Sequence, residues 1–351
     1  MGLGAYPDKG IAAARREAAE ARQLIADGVD PISARAAQQS AAKAETVEVV
    51  TFEIAARRVH GELKPSWKNA KHQSQWINTL STYVFPMIGD RRVDELKPAD
   101  FAAALKPIWL SKAETASRVK QRCHAVMKWC WGQELVQGNP VDMVDTLLPK
   151  QKSARSRVVH HPAMPWRDIP EFVAGVVMNG EDVTRRLLEF VILTAARSGE
   201  ARSMTWAEVD LEKGVWTVPA DRMKADVAHR VPLSDRAIEI LESQRDEAKP
   251  SDLVFPSPRG KVLTDMALTE FLRHHKVKSD TPGRVATAHG FRSAFRDWAS
   301  ETSYPRDLAE RALAHTIRDQ SEAAYHRTDL LELRRPMMEA WAQHVGSLVE
   351  N

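Results

Sequence analysis

Residues Gly214 to Leu233 read GVWTVPADRMKADVAHRVPL, and their period sets them apart from the rest of the chain. "GVWTVP" and "HRVPL" are short, rich in β-branched and aromatic residues and strand-like, with "ADRMKADVA" between them, which predicts a hairpin with a long tip. Around it the period is helical. Phe52, Ala55, Val59 and Leu63 recur at three and four, as do Trp76, Leu80, Tyr83 and Val84. Val119, Cys123, Val126 and Cys130 make another stripe, which ends at "QGNP", and Asp100 reads as the N-cap of "FAAAL". Flanking the hairpin, helices are predicted at about 168–178, 183–196, 234–247, 264–276, 288–302, 306–314, 319–327 and 332–346. The expected fold class is mainly α with one small β-hairpin.

A chain of 351 residues normally divides into two or three units. An alanine-rich helical arm at 11–27 stops at "GVDP"; residues 47–148 read as an all-helical domain; "PKQKSARSRVVHHPAMP" lacks a period and reads as an extended basic linker over 149–165; a second domain fills 166–351. The longest apolar runs, "FVAGVVM" and "FVILTAA", are far shorter than a membrane span, and the N-terminus has no secretion pattern, so the expected compartment is the cytoplasm. Cys123 and Cys130, seven apart on one helix face, read as buried thiols, and no metal site is expected.

Net charge is only +3, but it is unevenly spread. Residues 1–46 hold 6 basic and 6 acidic groups, residues 47–161 hold 18 and 11, and residues 162–351 hold 26 and 30. The middle third carries three basic clusters: Lys64, Lys68 and Lys71; Arg118, Lys120, Arg122 and Lys128; and Lys152, Arg155 and Arg157. One such cluster is as readily a solvated helix face, whereas three together favour contact with a phosphate backbone.

Four pieces of the second domain hold candidate chemistry: "TAARSGEARSMTW" with Arg197, the hairpin tip with Lys224, "AHGFRSAFRDWA" with His289 and Arg292, and "LAHTIRDQSEAAYHRTD" with His315 and Tyr325. Singly, each has an ordinary explanation: a surface arginine, a solubilising lysine, a capping or structural histidine, a half-buried tyrosine. In this order they resemble the tyrosine recombinase family, and specifically prophage integrases, whose catalytic domain runs Arg, Lys, His-x-x-Arg, His, Tyr. The similarity extends from "GLGAYP" to "RRPMMEAWAQHV". It implies a helical core-binding domain and a mostly helical catalytic domain that close as a C-shaped clamp on duplex DNA.

The chemistry asks for these residue types. A phosphodiester under attack gathers charge on its non-bridging oxygens, which planar, always-ionised guanidinium groups suit, and the resemblance gives that clamp to Arg197 and Arg292. A phenol of pKa about 10 is mostly protonated at neutral pH, a handicap of about 4 kcal/mol for a nucleophile. By resemblance His289 assists removal of the Tyr325 proton, His315 hydrogen-bonds the phosphate and Lys224 protonates the leaving 5′-oxygen. The product is a 3′-phosphotyrosyl link that retains the bond energy, so neither a metal nor another cofactor is expected, and the chain has no phosphate-binding loop, HExxH or EF-hand spacing. Glu200, three residues after Arg197, reads as that arginine's orienting partner.

Relatives carry a small β-rich arm-binding module before "LGAYP", so residues 1–46 read as its truncated remnant. The resemblance further implies a homotetramer on paired attachment sites, with an excision factor and a DNA-bending host protein as candidate assistants, in the integration and excision of a prophage or genomic island. Two alternatives are a non-catalytic DNA-binding accessory protein of the same fold, which loss of any of the six residues would favour, and a type IB topoisomerase-like nicking-closing enzyme. The last helix, with Met337, Met338, Trp341 and Val345, can pack on its own domain or dock on a neighbouring protomer, and the second reading is preferred.

Overall fold

The computed structural model describes residues 10–36, 49–67, 70–153, 160–223, 225–245, 248–315 and 328–349. The chain divides into two compact units, Met1–Arg157 and Val158–Asn351. Each has its own core.

The first unit is helical. Its main helices are α1 (Ile11–Ala26), α2 (Phe52–Leu63), α3 (Ala70–Tyr83), α4 (Pro98–Trp109) and α5 (Ala113–Gly132). α1 buries none of its residues, whereas α2 starts where the Thr51 hydroxyl accepts from the Ile54 amide and then buries Phe52, Ala55, Ala56 and Val59. Phe52 meets Phe101 edge to face at 5.6 Å in that core. Cys123 and Cys130 are buried on α5. Burial pushes their thiols up, to about 12 and about 11, so both stay protonated and unreactive. Asp100 is not the N-cap of its helix: Pro98 opens α4 one turn earlier, and the Asp100 carboxylate reaches back to the Lys97 amide at 2.8 Å.

The second unit packs helices around a three-stranded antiparallel sheet in the order β1-β2-β3. The strands are β1 (Val209–Asp210), β2 (Val215–Val218) and β3 (His229–Pro232), and the β2–β3 pairing sets Trp216 opposite Val231 and Val218 opposite His229. The hairpin follows the strand pattern; β1, only two residues long, carries too little pattern to read. The helices are α6 (Val183–Thr194), α7 (Ser198–Arg202), α8 (Asp235–Glu242), α9 (Ala267–His274), α10 (Gly290–Glu301), α11 (Arg306–Ala312) and α12 (Leu331–Val345). The helix expected at 319–327 lies outside the described residues.

α12 corrects an expectation. Met337, Met338, Trp341 and Val345 are all buried in this unit's own core, and the Trp341 indole donates to the Ile192 carbonyl at 2.8 Å. An apolar stripe of that width is satisfied by α6 and α10, so it is not a face for a neighbouring protomer. Among the described residues no helix is long and apolar enough to cross a membrane, and no His, Cys, Asp and Glu cluster could hold a metal.

Candidate active site

α6 ends at Ala195, whose backbone is left-handed with φ 50°. A residue with a β-carbon pays about 1 kcal/mol for that conformation, so something must hold it. The Ala195 carbonyl accepts from Arg292 Nη1 at 2.5 Å. Two residues on, Arg197 caps α7, and its guanidinium is held from two sides, by Glu200 Oε1 at 2.7 Å and by the Ala314 carbonyl at 3.2 Å. Glu200 is buried and also accepts from the Arg197 amide at 3.2 Å, so the expected orienting contact is present.

Arg292 enters from α10, which begins at Gly290 because nothing larger fits there. A β-carbon on Gly290 would lie 2.2 Å from the Pro162 carbonyl oxygen. That oxygen accepts from the Thr287 amide at 3.0 Å, which lays residues 160–163 across the start of the helix and sets the rings of His161 and His289 edge to face at 4.5 Å. Arg292 is 4% exposed. Besides Ala195 it donates to the Leu313 carbonyl at 2.6 Å, and the same nitrogen lies 3.4 Å from His315 Nε2. Its buried Nε has no hydrogen-bond partner among the described residues.

His315 follows α11 and a second left-handed alanine, Ala314, at φ 48°. Glu310 Oε2 lies 2.6 Å from His315 Nδ1. That contact fixes the ring, with Nδ1 toward the carboxylate and Nε2 toward Arg292. Burial opposes the Glu310 carboxylate, but hydrogen bonds from His315 and Arg296 outweigh it and hold it below its ordinary range. Each of the two site arginines is thus held by the carbonyl of a strained alanine.

These side chains border a cavity of about 270 Å³ lined by His161, His289, Arg292, Arg296, Leu313 and His315, among others. Desolvation, reinforced by Arg292, His161, Arg197 and His315, pushes the His289 imidazole below its ordinary value. The residue stays open to solvent at the rim, so screening limits the size of that effect and its sign is what counts: His289 is neutral and able to accept a proton. Burial pushes Arg292 down to about 10, which leaves it charged at neutral pH. A preorganised cationic pocket with the neutral His289 imidazole beside it suits an oxyanion that gains charge.

The comparisons with known proteins agree with this geometry. Residues 177–329 match the phage integrase family, residues 52–146 the phage integrase central domain and residues 1–38 an arm DNA-binding domain. The integrase of Enterobacteria phage P4 is 32% identical over 98% of this chain and 80% of its own length. The chain belongs to the phage integrase family. Prophage integrase IntA of Escherichia coli (strain K12) is 30% identical over 99% of this integrase and 83% of its own length. Among solved structures, the fold resembles a lambda integrase dimer bound to a COC′ core site (TM-score 0.59, 17% identity, 76% of this chain, 96% of that one). It also resembles a lambda integrase tetramer bound to a Holliday junction (TM-score 0.58, 18% identity, 94% and 89%). The integrase is a site-specific tyrosine recombinase.

Of the six residues read from the sequence, the integrase brings Arg197, His289, Arg292 and His315 together; Lys224 and Tyr325 lie outside the described residues. The base of the Lys224 hairpin is nonetheless fixed. Arg222 pairs with Glu208, donates to the Glu200 carbonyl and reaches Ser203 Oγ at 2.8 Å, which fastens the hairpin to the helix that Arg197 opens. Sequence reading missed Arg222, Glu310 and the carbonyls of Ala195, Leu313 and Ala314. Main-chain ligands leave no mark on side-chain identity.

Another cavity of the integrase, about 1280 Å³, lies in the first unit. Trp67, His72, Trp76, Arg118, Lys120 and Lys150 help line it. Arg118 pairs with Glu114 at 2.9 Å and Lys120 with Asp145, both with solvent access. Arg122 corrects the sequence reading: it is only 7% exposed and its Nη1 donates to the Gln75 carbonyl at 3.0 Å and to the Thr79 hydroxyl, so it ties α5 to α3. Lys64, Lys71, Lys128 and Lys152 are exposed, whereas Lys68, Arg155 and Arg157 lie outside the described residues.

Proposed function

We propose that Tyr325 is the nucleophile of this recombinase and that the second-unit site is where it attacks. Arg197 and Arg292 clamp the scissile phosphate, His315 Nε2 is within reach of the same oxygens, and His289 takes the phenol proton. The tyrosine oxygen bonds to phosphorus, the 5′-oxygen leaves with a proton from Lys224, and a 3′-phosphotyrosyl link remains. Attack by another 5′-hydroxyl reverses the step and joins the new strand, with no cofactor and no external energy. The observation that carries this reading is the convergence of Arg197 and Arg292 on one turn, Leu313–His315, which carries His315 and the left-handed Ala314.

Duplex DNA is the proposed partner. The lambda integrase structures, a dimer on a core site and a tetramer on a Holliday junction, support DNA binding and assembly on paired sites for this chain as well. We assign phosphate-backbone contact to Arg118, Lys120 and Lys150 along the first-unit cavity and to the exposed Lys64, Lys71, Lys128 and Lys152. Integration and excision of a prophage or genomic island is the biological reading, with residues 1–46 as an arm-binding segment, 47–148 as the core-binding domain, 149–165 as the linker and 166–351 as the catalytic domain. An excision factor and a DNA-bending protein are proposed assistants, and the bacterial cytoplasm is the proposed compartment. The test is a nicked suicide duplex that carries the cognate core site. Wild type forms a denaturant-resistant protein–DNA adduct and Tyr325→Phe does not; an adduct with Tyr325→Phe refutes the assignment.

A further inference from the structure

β3 returns from the hairpin tip that carries Lys224, and its first two residues reach toward opposite ends of one stretch of chain. Arg230 forms a two-pronged pair with Asp329, Nε to Oδ2 at 2.8 Å and Nη2 to Oδ1 at 2.7 Å. His229 lies beside the backbone of Ala312. Between Ala312 and Asp329 run His315 and Tyr325. The two ends of that stretch are also pinned to each other, since Arg311 donates to the Thr328 carbonyl at 2.6 Å.

Asp329 is more than a surface carboxylate. Arg334 on α12 is fully buried, none of its three guanidinium nitrogens makes a hydrogen bond among the described residues, and Asp329 lies 3.4 Å from its Nη2. A buried charge requires an anion nearby, so Asp329 is held from the α12 side while Arg230 grips it from the sheet. The Arg230 side chain is half exposed, and pairs of that exposure contribute little to global stability. What a two-pronged guanidinium–carboxylate contact does supply is orientation, between elements 99 residues apart in sequence.

We propose that Arg230, through Asp329, is a positioning residue that sets the Lys224 hairpin in register with the segment that carries Tyr325. This inference rests on the assignment of Lys224 as acid and Tyr325 as nucleophile. β2 adds rigidity to the arm, because Thr217 pairs with Arg230 in the ladder and the neighbouring Trp216 is fully buried.

The experiment uses the full chain, saturating DNA and two suicide duplexes, one ordinary and one with a 5′-bridging sulfur at the scissile phosphate, whose thiolate leaves without a proton. Arg230→Ala is expected to fold and bind like wild type, yet form adduct on the ordinary duplex about tenfold more slowly or worse, as a misplaced group does. Arg230→Lys, which keeps the charge but not the fork, recovers part of the rate. On the sulfur duplex the Arg230→Ala defect shrinks, as does that of Lys224→Ala. Three results would each overturn the inference: wild-type cleavage by Arg230→Ala, a loss matched by an equal loss of folded or bound protein, or a defect undiminished on the sulfur duplex while Lys224→Ala is rescued. Failure of the sulfur duplex to rescue Lys224→Ala strikes instead at the assignment of the acid.

Discussion

The two cationic regions of this integrase use their charges differently. In the first unit Arg118 and Lys120 lie along a wide cavity, paired with Glu114 and Asp145 and open to solvent. In the second, Arg292 is 4% exposed and fixed by two carbonyls, and Arg197 by a carboxylate and a third. Exposed charges in salt water act additively and can be exchanged one for another. Buried, hydrogen-bonded ones act through position. On the proposed roles the contrast separates holding DNA from cutting it, and it can be attacked by substitution.

The largest effect is expected for Arg292→Ala, which removes a proposed clamp of the charge that develops at the moment of transfer. Cleavage of bound DNA should fall by about 10³-fold or more while affinity changes only a few-fold, as measured by single-turnover kinetics at saturating protein. Loss of binding with normal cleavage of the bound fraction would erase the contrast. Next comes Glu310→Gln, which loosens the hold on the His315 ring and should slow cleavage by about 10²-fold without a change in DNA affinity. Gly290→Ala forces a β-carbon against the Pro162 carbonyl, so chemical denaturation should show a loss of roughly 1–3 kcal/mol; unchanged stability would mean that residues 160–163 do not cross α10 this closely.

Smaller effects belong to the exposed region. Lys150→Ala should weaken DNA binding several-fold and lower the slope of log affinity against log salt by about 1, with cleavage of bound DNA unchanged. A hundredfold loss from that single change would show geometry, not additive charge, at work there. The smallest is a pH effect on the buried side. Burial first, then Arg334, pushes His229 down to about 4. The folded protein keeps this ring neutral while the unfolded chain takes up a proton below about 6.5, so its stabilising contribution is complete above that pH and is lost as pH falls toward 4. His229→Gln should therefore lose less stability than wild type between pH 7 and pH 5.5, a difference of at most about 1 kcal/mol in denaturant titrations. A steeper loss in the variant would contradict the buried neutral ring.

Much of this was legible from residue order and period. The hairpin showed in its β-branched runs, and His289 and Arg292, three apart, stand at the start of α10 as their spacing requires. What escaped has physical causes. Arg118 and Arg122 look alike in sequence, yet only the packing of α5 on α3 decides that Arg122 faces Gln75 and Thr79. The α12 stripe names an apolar face but not its cover, which proved to be this unit's own core. The strained alanines were invisible, since alanine at 195 and 314 carries no signal of the left-handed backbone that points its carbonyl at an arginine.

The central claim, that the chemistry belongs to the second unit and passes through one phenol, is tested most directly by locating the covalent bond. The adduct from a suicide duplex, digested by protease and nuclease and sequenced by mass spectrometry, is predicted to carry its nucleotide remnant on Tyr325. A remnant on Tyr83 or Tyr304, or an adduct that survives Tyr325→Phe, would contradict the account.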